Sequence, residues 1–194
     1  YGDYIAPIAL SHDGTQVVFA TNNFQNLNIA SEDSTEVETI VSPPSRQVFQ
    51  YEWSPDDQWI YFISPNPRGT NAVNELRRVR TDGTNLRLVA TDVRQYMITP
   101  RGDRIVYLAG FSNDYFEVNL HSGHQTLLYS SPQNVTETTF VRSLGNGLTV
   151  ISDMTGYQAR AYLSIDLRSG RVTWLFDDAI TEPFGQTQDG EWIY

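Results

Sequence analysis

Apolar residues in this chain occur in short runs, such as WIYFI (Trp59–Ile63) and RIVYLA (Arg104–Ala109), separated by turns rich in Gly, Pro and Asp. No stretch shows the spacing of three and four residues that marks one face of a helix. Continuous apolar runs of this length are typical of strands that are covered on both faces. The pattern therefore predicts an all-β protein whose sheets pack on both sides.

One turn-and-strand unit repeats along the chain. Each copy has a Ser or Thr, a short polar turn and an apolar strand, and successive copies are about 44 residues apart. The fourth copy is one residue ambiguous in register, because its turn is shortened. The copies are SHDGTQVVFA (11–20), SPDDQWIYFI (54–63), TPRGDRIVYL (99–108), SLGNGLTVIS (143–152) and TQDGEWIY (187–194).

A second hairpin signature lies inside each period, with turns ending at Gly83, Gly123 and Gly170 and a degenerate copy around Ser34. Four strands can therefore be drawn per period. In the second period they are Val48–Ser54, Trp59–Ser64, Glu75–Arg80 and Leu86–Ala90.

Four strands in about 40–45 residues is the period of a β-propeller blade. We therefore predict one β-propeller domain, or part of one, over residues 1–194, built from four-stranded antiparallel blades. The alternative is a β-sandwich with coincidental spacing. The predicted repeats are 5–47, 48–92, 93–136, 137–180 and a partial fifth, 181–194.

A column of large apolar residues supports this alignment, since one stands three residues before each Ser or Thr of the repeat. Such residues suit an innermost strand that packs between blades. The column contains Ile8, Tyr51, Tyr96, Phe140 and Phe184.

The SPDG-type turn followed by a strand, together with ELRRVRTDGTNLRLV, resembles the TolB-like propeller repeat. Similar repeats form the N-terminal propellers of prolyl oligopeptidase and dipeptidyl peptidase relatives. The resemblance implies a propeller of six to eight blades, and an extracytoplasmic location, either periplasmic or secreted. Four complete repeats and a partial fifth then suggest a piece of a larger or assembled ring, although a closed four-bladed ring is an alternative. The start at Tyr1 without Met suggests processing or trimming upstream.

Composition removes several classes of function. The formal net charge is -10, which disfavours binding to a phosphate backbone, so no nucleic-acid partner is expected. The sequence contains no Lys and no Cys, so lysine Schiff bases, thiol catalysis and thiolate metal sites are excluded within this chain. No hydrophobic stretch suits membrane insertion. We expect no cofactor and no metal.

The adjacent carboxylates Asp56 and Asp57 invite a catalytic or metal-binding interpretation. The repeat favours a turn instead, because Asp57 occupies the position where other copies have Gly and where positive φ is common. On that interpretation the substitution Asp57→Gly is neutral or stabilising. Ser11, His12 and Asp13 are contiguous and cannot form a triad. His121 and His124 fall on a hairpin turn, which favours solvated side chains over a metal site.

Arg77, Arg78 and Arg80 alternate along one predicted strand, with Glu75, Asp82 and Arg87 nearby. We interpret them as a solvated charge ladder, and the alternative is a patch for an acidic partner.

Binding residues concentrate in loops carried by a rigid scaffold. The longest loop, Ser64–Asn74, and the connections at the same end of the blades are therefore the predicted binding surface, at one mouth of the propeller channel. We predict a non-catalytic scaffold that binds a protein or peptide there. The alternatives are the substrate-gating propeller of a prolyl oligopeptidase-like serine peptidase whose hydrolase domain lies outside this chain, and, less favoured, a polysaccharide lyase or glycosidase propeller. Exposed blade faces could also drive self-association. The candidate binding residues are Arg46, Arg68, Arg94, Asn113, Asp114 and Tyr157.

Overall fold

The structure is a computed structural model that describes residues 8–21, 24–42, 48–66, 74–112, 114–130, 135–143, 149–156, 160–166 and 168–177. These residues form sixteen strands and contain no helix. No helix that could cross a membrane is therefore present in this part of the chain. The all-β prediction is confirmed.

The strands form four antiparallel sheets of four strands, and each sheet follows the order of the chain. The first sheet contains β1 (Ile8–Leu10), β2 (Gln16–Thr21), β3 (Asn26–Ser31) and β4 (Val37–Val41). The second contains β5 (Phe49–Trp53), β6 (Trp59–Pro65), β7 (Asn74–Arg80) and β8 (Arg87–Thr91). The four strands of this second sheet agree with the sequence prediction to within one residue at each end.

The third sheet contains β9 (Val93–Ile98), β10 (Arg104–Ala109), β11 (Tyr115–Asn119) and β12 (Gln125–Tyr129). The fourth contains β13 (Val135–Ser143), β14 (Thr149–Gly156), β15 (Arg160–Asp166) and β16 (Val172–Asp177). The chain divides into two compact units, Tyr1–Val93 and Arg94–Tyr194.

The turn between the first and second strands has the same hydrogen bonds in each of the first three sheets. In the second sheet the N–H of Asp57 donates to the carbonyl of Ser54 (2.9 Å), and the N–H of Ser54 donates to the carbonyl of Trp59 (2.8 Å). The last turn residue has positive φ in all three, 77° at Gly14, 53° at Asp57 and 66° at Gly102. The turn interpretation of the repeat is therefore confirmed at these positions.

In the first unit, the first two sheets share one apolar core. Val18 and Leu27 from the first sheet, and Ile60, Phe62 and Val79 from the second, are at most 1% exposed. Side chains alternate between the two faces of a strand. The first sheet therefore covers the face of the second sheet that carries Ile60 and Phe62.

Two hydrogen bonds also join these sheets through side chains of β5. The indole N–H of Trp53 donates to the carbonyl of Ala9 (2.9 Å), and the hydroxyl of Tyr51 accepts from the N–H of Ala20 (3.2 Å). The two large side chains thus fill the core and satisfy backbone groups of the neighbouring sheet.

The apolar column of the inner strands is only partly buried. Tyr51 and Tyr96 are 8% and 3% exposed, as predicted, but Ile8 is 64% exposed. The reason lies in the alternation along β1, where Ala9 packs on the shared core and its neighbours Ile8 and Leu10 point to the opposite face. Phe184 lies outside the described residues, as does the side chain of Phe140.

In the second unit, a smaller core joins the third and fourth sheets. Val106, Leu108 and Tyr115 of the third sheet pack with Ile165 of the fourth, and all four side chains are fully buried.

Candidate functional site

The strand connections of an antiparallel sheet alternate between its two ends. In the first three sheets the first-to-second and third-to-fourth strand connections are tight turns, and we call that end of the sheet the turn end. The second-to-third strand connection and the entry to the first strand lie at the opposite end, which we call the loop end. The sequence predicted binding residues at the loop end.

Two predicted residues, Arg94 and Asp114, lie at the loop end of the third sheet. Arg94 is near the start of β9, and its Nη2 donates to the carbonyl of Gly110 (2.9 Å). Asp114 closes the connection between β10 and β11, because its carbonyl accepts from the N–H of Ala109 (2.9 Å). Its carboxylate accepts from the hydroxyl of Ser130 at the end of β12 (3.0 Å). The structure therefore places both residues against the same short connection, Gly110–Asp114.

This connection exposes a residue that sequence reasoning missed. Phe111 is 68% exposed, the largest exposed fraction among the large apolar side chains of the described residues. The adjacent Ser112 hydroxyl accepts from the N–H of Asp114 (3.2 Å), which adds a second closure of the loop. An aromatic residue within the run GFSND, surrounded by turn formers, is the signal that could have found it. The described residues of the connection thus combine hydrogen bonds near its two ends with an exposed aromatic ring.

The other four predicted binding residues lie outside the described residues, so their placement stays a prediction. They are Arg46, Arg68, Asn113 and Tyr157.

At the turn end, the paired carboxylates of the second sheet point to different partners. Asp56 stays within its own turn, where it accepts from the Ser54 hydroxyl and the N–H of Gln58. Asp57 reaches the turn of the first sheet and accepts from the backbone N–H groups of His12 (2.9 Å) and Asp13 (3.0 Å). The Nδ1 atom of His12 lies 2.8 Å from the same carboxylate. The two carboxylates therefore do not form a shared acid–base or metal site.

These contacts change the expectation for Asp57. Its side chain is only 16% exposed. Burial alone would raise the pKa of this carboxyl, but the hydrogen bonds from His12 and Asp13 outweigh that effect and lower the pKa. Asp57 thus acts as an ionised clamp between the first two sheets, and its replacement by Gly is no longer expected to be neutral.

The pKa of Glu52, on the strand before this turn, is shifted in the opposite direction. Desolvation by the surrounding protein raises the pKa of its carboxyl to about 7, while His12 partly lowers it. The residue as a whole is exposed, so water still reaches the carboxyl and the desolvation is incomplete. Glu52 is therefore a carboxyl whose charge changes between mildly acidic and neutral pH.

The histidines of the third sheet lie on an exposed turn. His121 and His124 are exposed on the turn that contains Gly123, as the sequence predicted. Across the described residues, no group of three or more His, Asp and Glu side chains is arranged to hold a metal ion.

No protein-family model matches the chain, and no curated protein matches it in sequence. Solved structures do match. Oligogalacturonate lyase in complex with manganese aligns with a TM-score of 0.75 and 11% identity, over 93% of this chain and 55% of that chain. TolB from Acinetobacter baumannii aligns at 0.66 and 14%, over 93% and 46%. The chain has a β-propeller fold.

A putative dipeptidyl aminopeptidase IV from Bacteroides ovatus aligns with a TM-score of 0.71 and 12% identity, over 96% of this chain and 35% of that chain. The structural resemblance to TolB and to peptidase propellers expected from the repeat is confirmed. At these identities the likeness concerns the fold, which hosts binding proteins and enzymes alike. The chain spans about half the length of the lyase and TolB chains that it matches.

Proposed function

We propose that this chain is a non-catalytic β-propeller scaffold that binds a protein or peptide through connections at its loop end, around one mouth of the channel. The observation that carries the proposal is the Gly110–Asp114 connection. It presents Phe111 on a backbone held by Arg94 and Asp114. Large aromatic and Arg side chains are the residues that most often dominate binding energy at protein interfaces.

The hydrogen bonds near the two ends of this connection support the proposal on energetic grounds. Binding costs free energy for every loop that must be ordered, and a loop already held by hydrogen bonds costs less. The exposed ring can then bury apolar area on a partner without reorganising its own support. TolB and the nidogen–laminin complex are among the structural matches, which supports a protein partner in general terms.

The alternative is the substrate-gating propeller of a prolyl oligopeptidase-like serine peptidase whose hydrolase domain lies outside this chain. It is favoured by the matches to the Bacteroides ovatus protein and to a puromycin-hydrolyzing peptidase from Mycobacterium tuberculosis. In both cases the loop end would meet a polypeptide. The periplasmic or secreted location expected from the TolB-like repeat belongs to the same proposal.

A photocrosslinking experiment tests the proposal. A photoreactive amino acid at Phe111 is expected to capture one protein or peptide partner in the native host, and Arg94→Ala is expected to reduce that capture. The same label at Ser122, an exposed position at the turn end of the same sheet, is the control. Equal capture at both positions would overturn the loop-end assignment. Labelling of the native polypeptide by a fluorophosphonate would favour the peptidase alternative.

A further inference from the structure

The second sheet concentrates positive charge in an acidic protein. Four of the 13 basic residues, Arg77, Arg78, Arg80 and Arg87, lie on the adjacent strands β7 and β8. Arg77 pairs with the carboxylate of Glu75. The other three make no ion pair with a carboxylate within the described residues, and we call Arg78, Arg80 and Arg87 the arginine cluster.

Strand register places the arginine cluster on one face of the sheet. Arg80 is the partner of Trp59, and Arg78 is the partner of Tyr61 on β6 and of Arg87 on β8. Like charges directly opposite each other in a sheet are destabilising. The chain therefore tolerates an unfavourable arrangement that an anionic ligand would neutralise.

An aromatic side chain orders two members of this cluster. The guanidinium carbons of Arg78 and Arg80 lie 4.5 Å and 5.4 Å from the centroid of the Trp59 ring. Arg78 also donates to the hydroxyl of Tyr61 (3.3 Å). Cation–π contacts of this kind hold the guanidinium groups in place while their N–H donors remain able to bind carboxylates.

Local acidic residues only partly offset the charge of the cluster. Asp82 follows Arg80 by two residues and interacts electrostatically with it, but its carboxylate makes no ion pair with Arg80 and accepts from the N–H and hydroxyl of Thr84 at 2.9 Å and 2.6 Å. Among the described residues, the side chain of Arg87 reaches the amide oxygen of Asn85, at 3.5 Å. No member of the cluster is therefore paired with a carboxylate in the described part of the chain.

The cluster borders an open sheet edge. Among the described residues β8 is the last strand of its sheet, so its outer side offers backbone N–H and C=O groups that pair with no described strand. Arg87 lies on the face of the cluster, and the next residue, Leu88, is 52% exposed and lies on the opposite face as the partner of Arg77. Leu86 just before the strand is 48% exposed. This edge is cationic on one face and apolar on the other.

We propose that β8 and the arginine cluster bind an extended acidic peptide, which adds to the second sheet as a fifth strand. Its main chain would pair with the open edge, alternate carboxylates would meet the cluster, and the apolar side chains between them would cover Leu88. The open edge favours a peptide over an acidic oligosaccharide, because a sugar chain cannot continue a strand ladder. This surface is separate from the loop end, and the proposal stands without it.

A charged residue on an edge strand can also protect a sheet against aggregation, and the first sheet has charged residues of this kind. Its last strand, β4, carries Glu38, preceded by Glu36. Protection needs charge on the edge strand alone, whereas in the second sheet Arg78 and Arg80 lie on β7, one strand further in. That inner position is what points to a ligand.

The test uses the whole 194-residue chain and a short fluorescein-labelled peptide of alternating Glu and Val, followed by fluorescence anisotropy. We expect saturable binding that weakens about tenfold on Arg87→Glu, since one charge-assisted contact is worth roughly that factor. Arg101→Glu, an exposed Arg on a turn of the third sheet, gives the same change in net charge and is expected to change affinity by less than about twofold.

Two further probes distinguish strand addition from simple charge attraction. A version of the peptide N-methylated at alternate residues keeps every carboxylate but loses main-chain donors, and its binding is expected to be lost. Amide exchange along β8 is expected to slow when the unmodified peptide is present. Equal binding of the N-methylated peptide or of an oligogalacturonate, unchanged affinity of Arg87→Glu, or no binding at all would each overturn the proposal.

Discussion

The substitution Asp57→Gly is the sharpest test of how the first two sheets are joined. The sequence pattern alone makes this change neutral or favourable, because Asp57 has a φ of 53°, a conformation that glycine adopts at no steric cost. The structure instead predicts that Asp57→Gly lowers the stability of the folded chain. The carboxylate accepts two backbone N–H groups of the neighbouring turn and contacts a His12 ring nitrogen.

The magnitude follows from two opposing terms. Relief of the left-handed conformation is worth about 1 kcal/mol. Each hydrogen bond to a charged group contributes about 1.5–3 kcal/mol, but water can replace part of this for a pair of exposed donors. We take the lost contacts together as about 2–3 kcal/mol, which leaves a net destabilisation of about 1–2 kcal/mol. For a chain of this size that lowers Tm by about 2–8 °C.

The assay is urea unfolding of the wild-type chain and two variants. Asn85→Gly is the matched control, since Asn85 also has positive φ (57°) but its side chain makes only local hydrogen bonds. That variant is expected to be neutral or stabilising by up to about 1 kcal/mol. An Asp57→Gly protein that is as stable as Asn85→Gly would refute the clamp and restore the simple turn interpretation.

A pH series of Asp57→Asn separates charge from shape. The folded-state pKa of Asp57 lies below the ordinary value of 3.8. A lowered carboxyl pKa stabilises the folded state above the unfolded-state pKa, and this contribution is lost as pH falls through the folded-state pKa. The difference in unfolding free energy between wild type and Asp57→Asn is therefore expected to shrink as the pH falls below about 4.

Four smaller predictions follow from other contacts. Trp53→Phe removes the hydrogen bond to Ala9 and leaves a small void, so urea unfolding is expected to show a loss of about 1–3 kcal/mol. Leu10 is 61% exposed on an apolar sheet face, so wild type is expected to self-associate in light scattering and Leu10→Asp to do so less; a strictly monomeric wild type would contradict this. Arg94→Ala is expected to speed amide exchange in the Gly110–Asp114 connection while the global stability changes by less than about 1 kcal/mol. Because the pKa of Glu52 is raised in the folded state, its ionisation costs stability as pH rises from 4.5 towards 7, so Glu52→Gln is expected to be more stable than wild type at pH 8 and equal to it near pH 4.

Much of the fold was predictable because its causes are local. The positive φ at Gly14 and Gly102, and the hairpin turns at Gly83 and Gly123, depend on a few neighbouring residues, and these recur at a fixed period. The strand bounds of the second sheet follow from the same turn residues, which separate one strand from the next. Turns and strand bounds can therefore be predicted without knowing which sheets pack against each other.

The partners of side chains were less predictable because they depend on contacts between repeats. The carboxylate of Asp57 binds a turn about 45 residues earlier, which no local pattern reveals. The repeat register did contain a clue, since turns at equivalent positions lie at the same end of neighbouring blades. Burial of Ile8 was predicted from its column and is wrong, because packing depends on a neighbour on the correct face of β1 and not on the residue type.

At the candidate site, the contacts and exposure of individual side chains were likewise not predictable from the local sequence. Arg94 and Asp114 were selected as loop polar residues, and the structure gives each a defined hydrogen-bonding role. The exposure of Phe111 is hard to predict from sequence, because an aromatic residue in a β-rich sequence is usually assigned to the core. Phe111 lies in the short connection whose ends are joined by the hydrogen bond from the N–H of Ala109 to the carbonyl of Asp114.

Departures from the repeat are therefore more informative about specific interactions than the repeat itself. Where Gly stands in other copies, Asp57 supplies a contact between sheets that a glycine could not make. Where β4 carries Glu38 on its open edge, β8 carries Arg87, backed by the arginine opposite it on β7. Both departures carry a conformational or electrostatic cost that the fold alone does not require. A cost to stability within one sheet can be offset by a partner outside that sheet. That partner is another sheet for Asp57 and, on the proposal above, an acidic strand for Arg87.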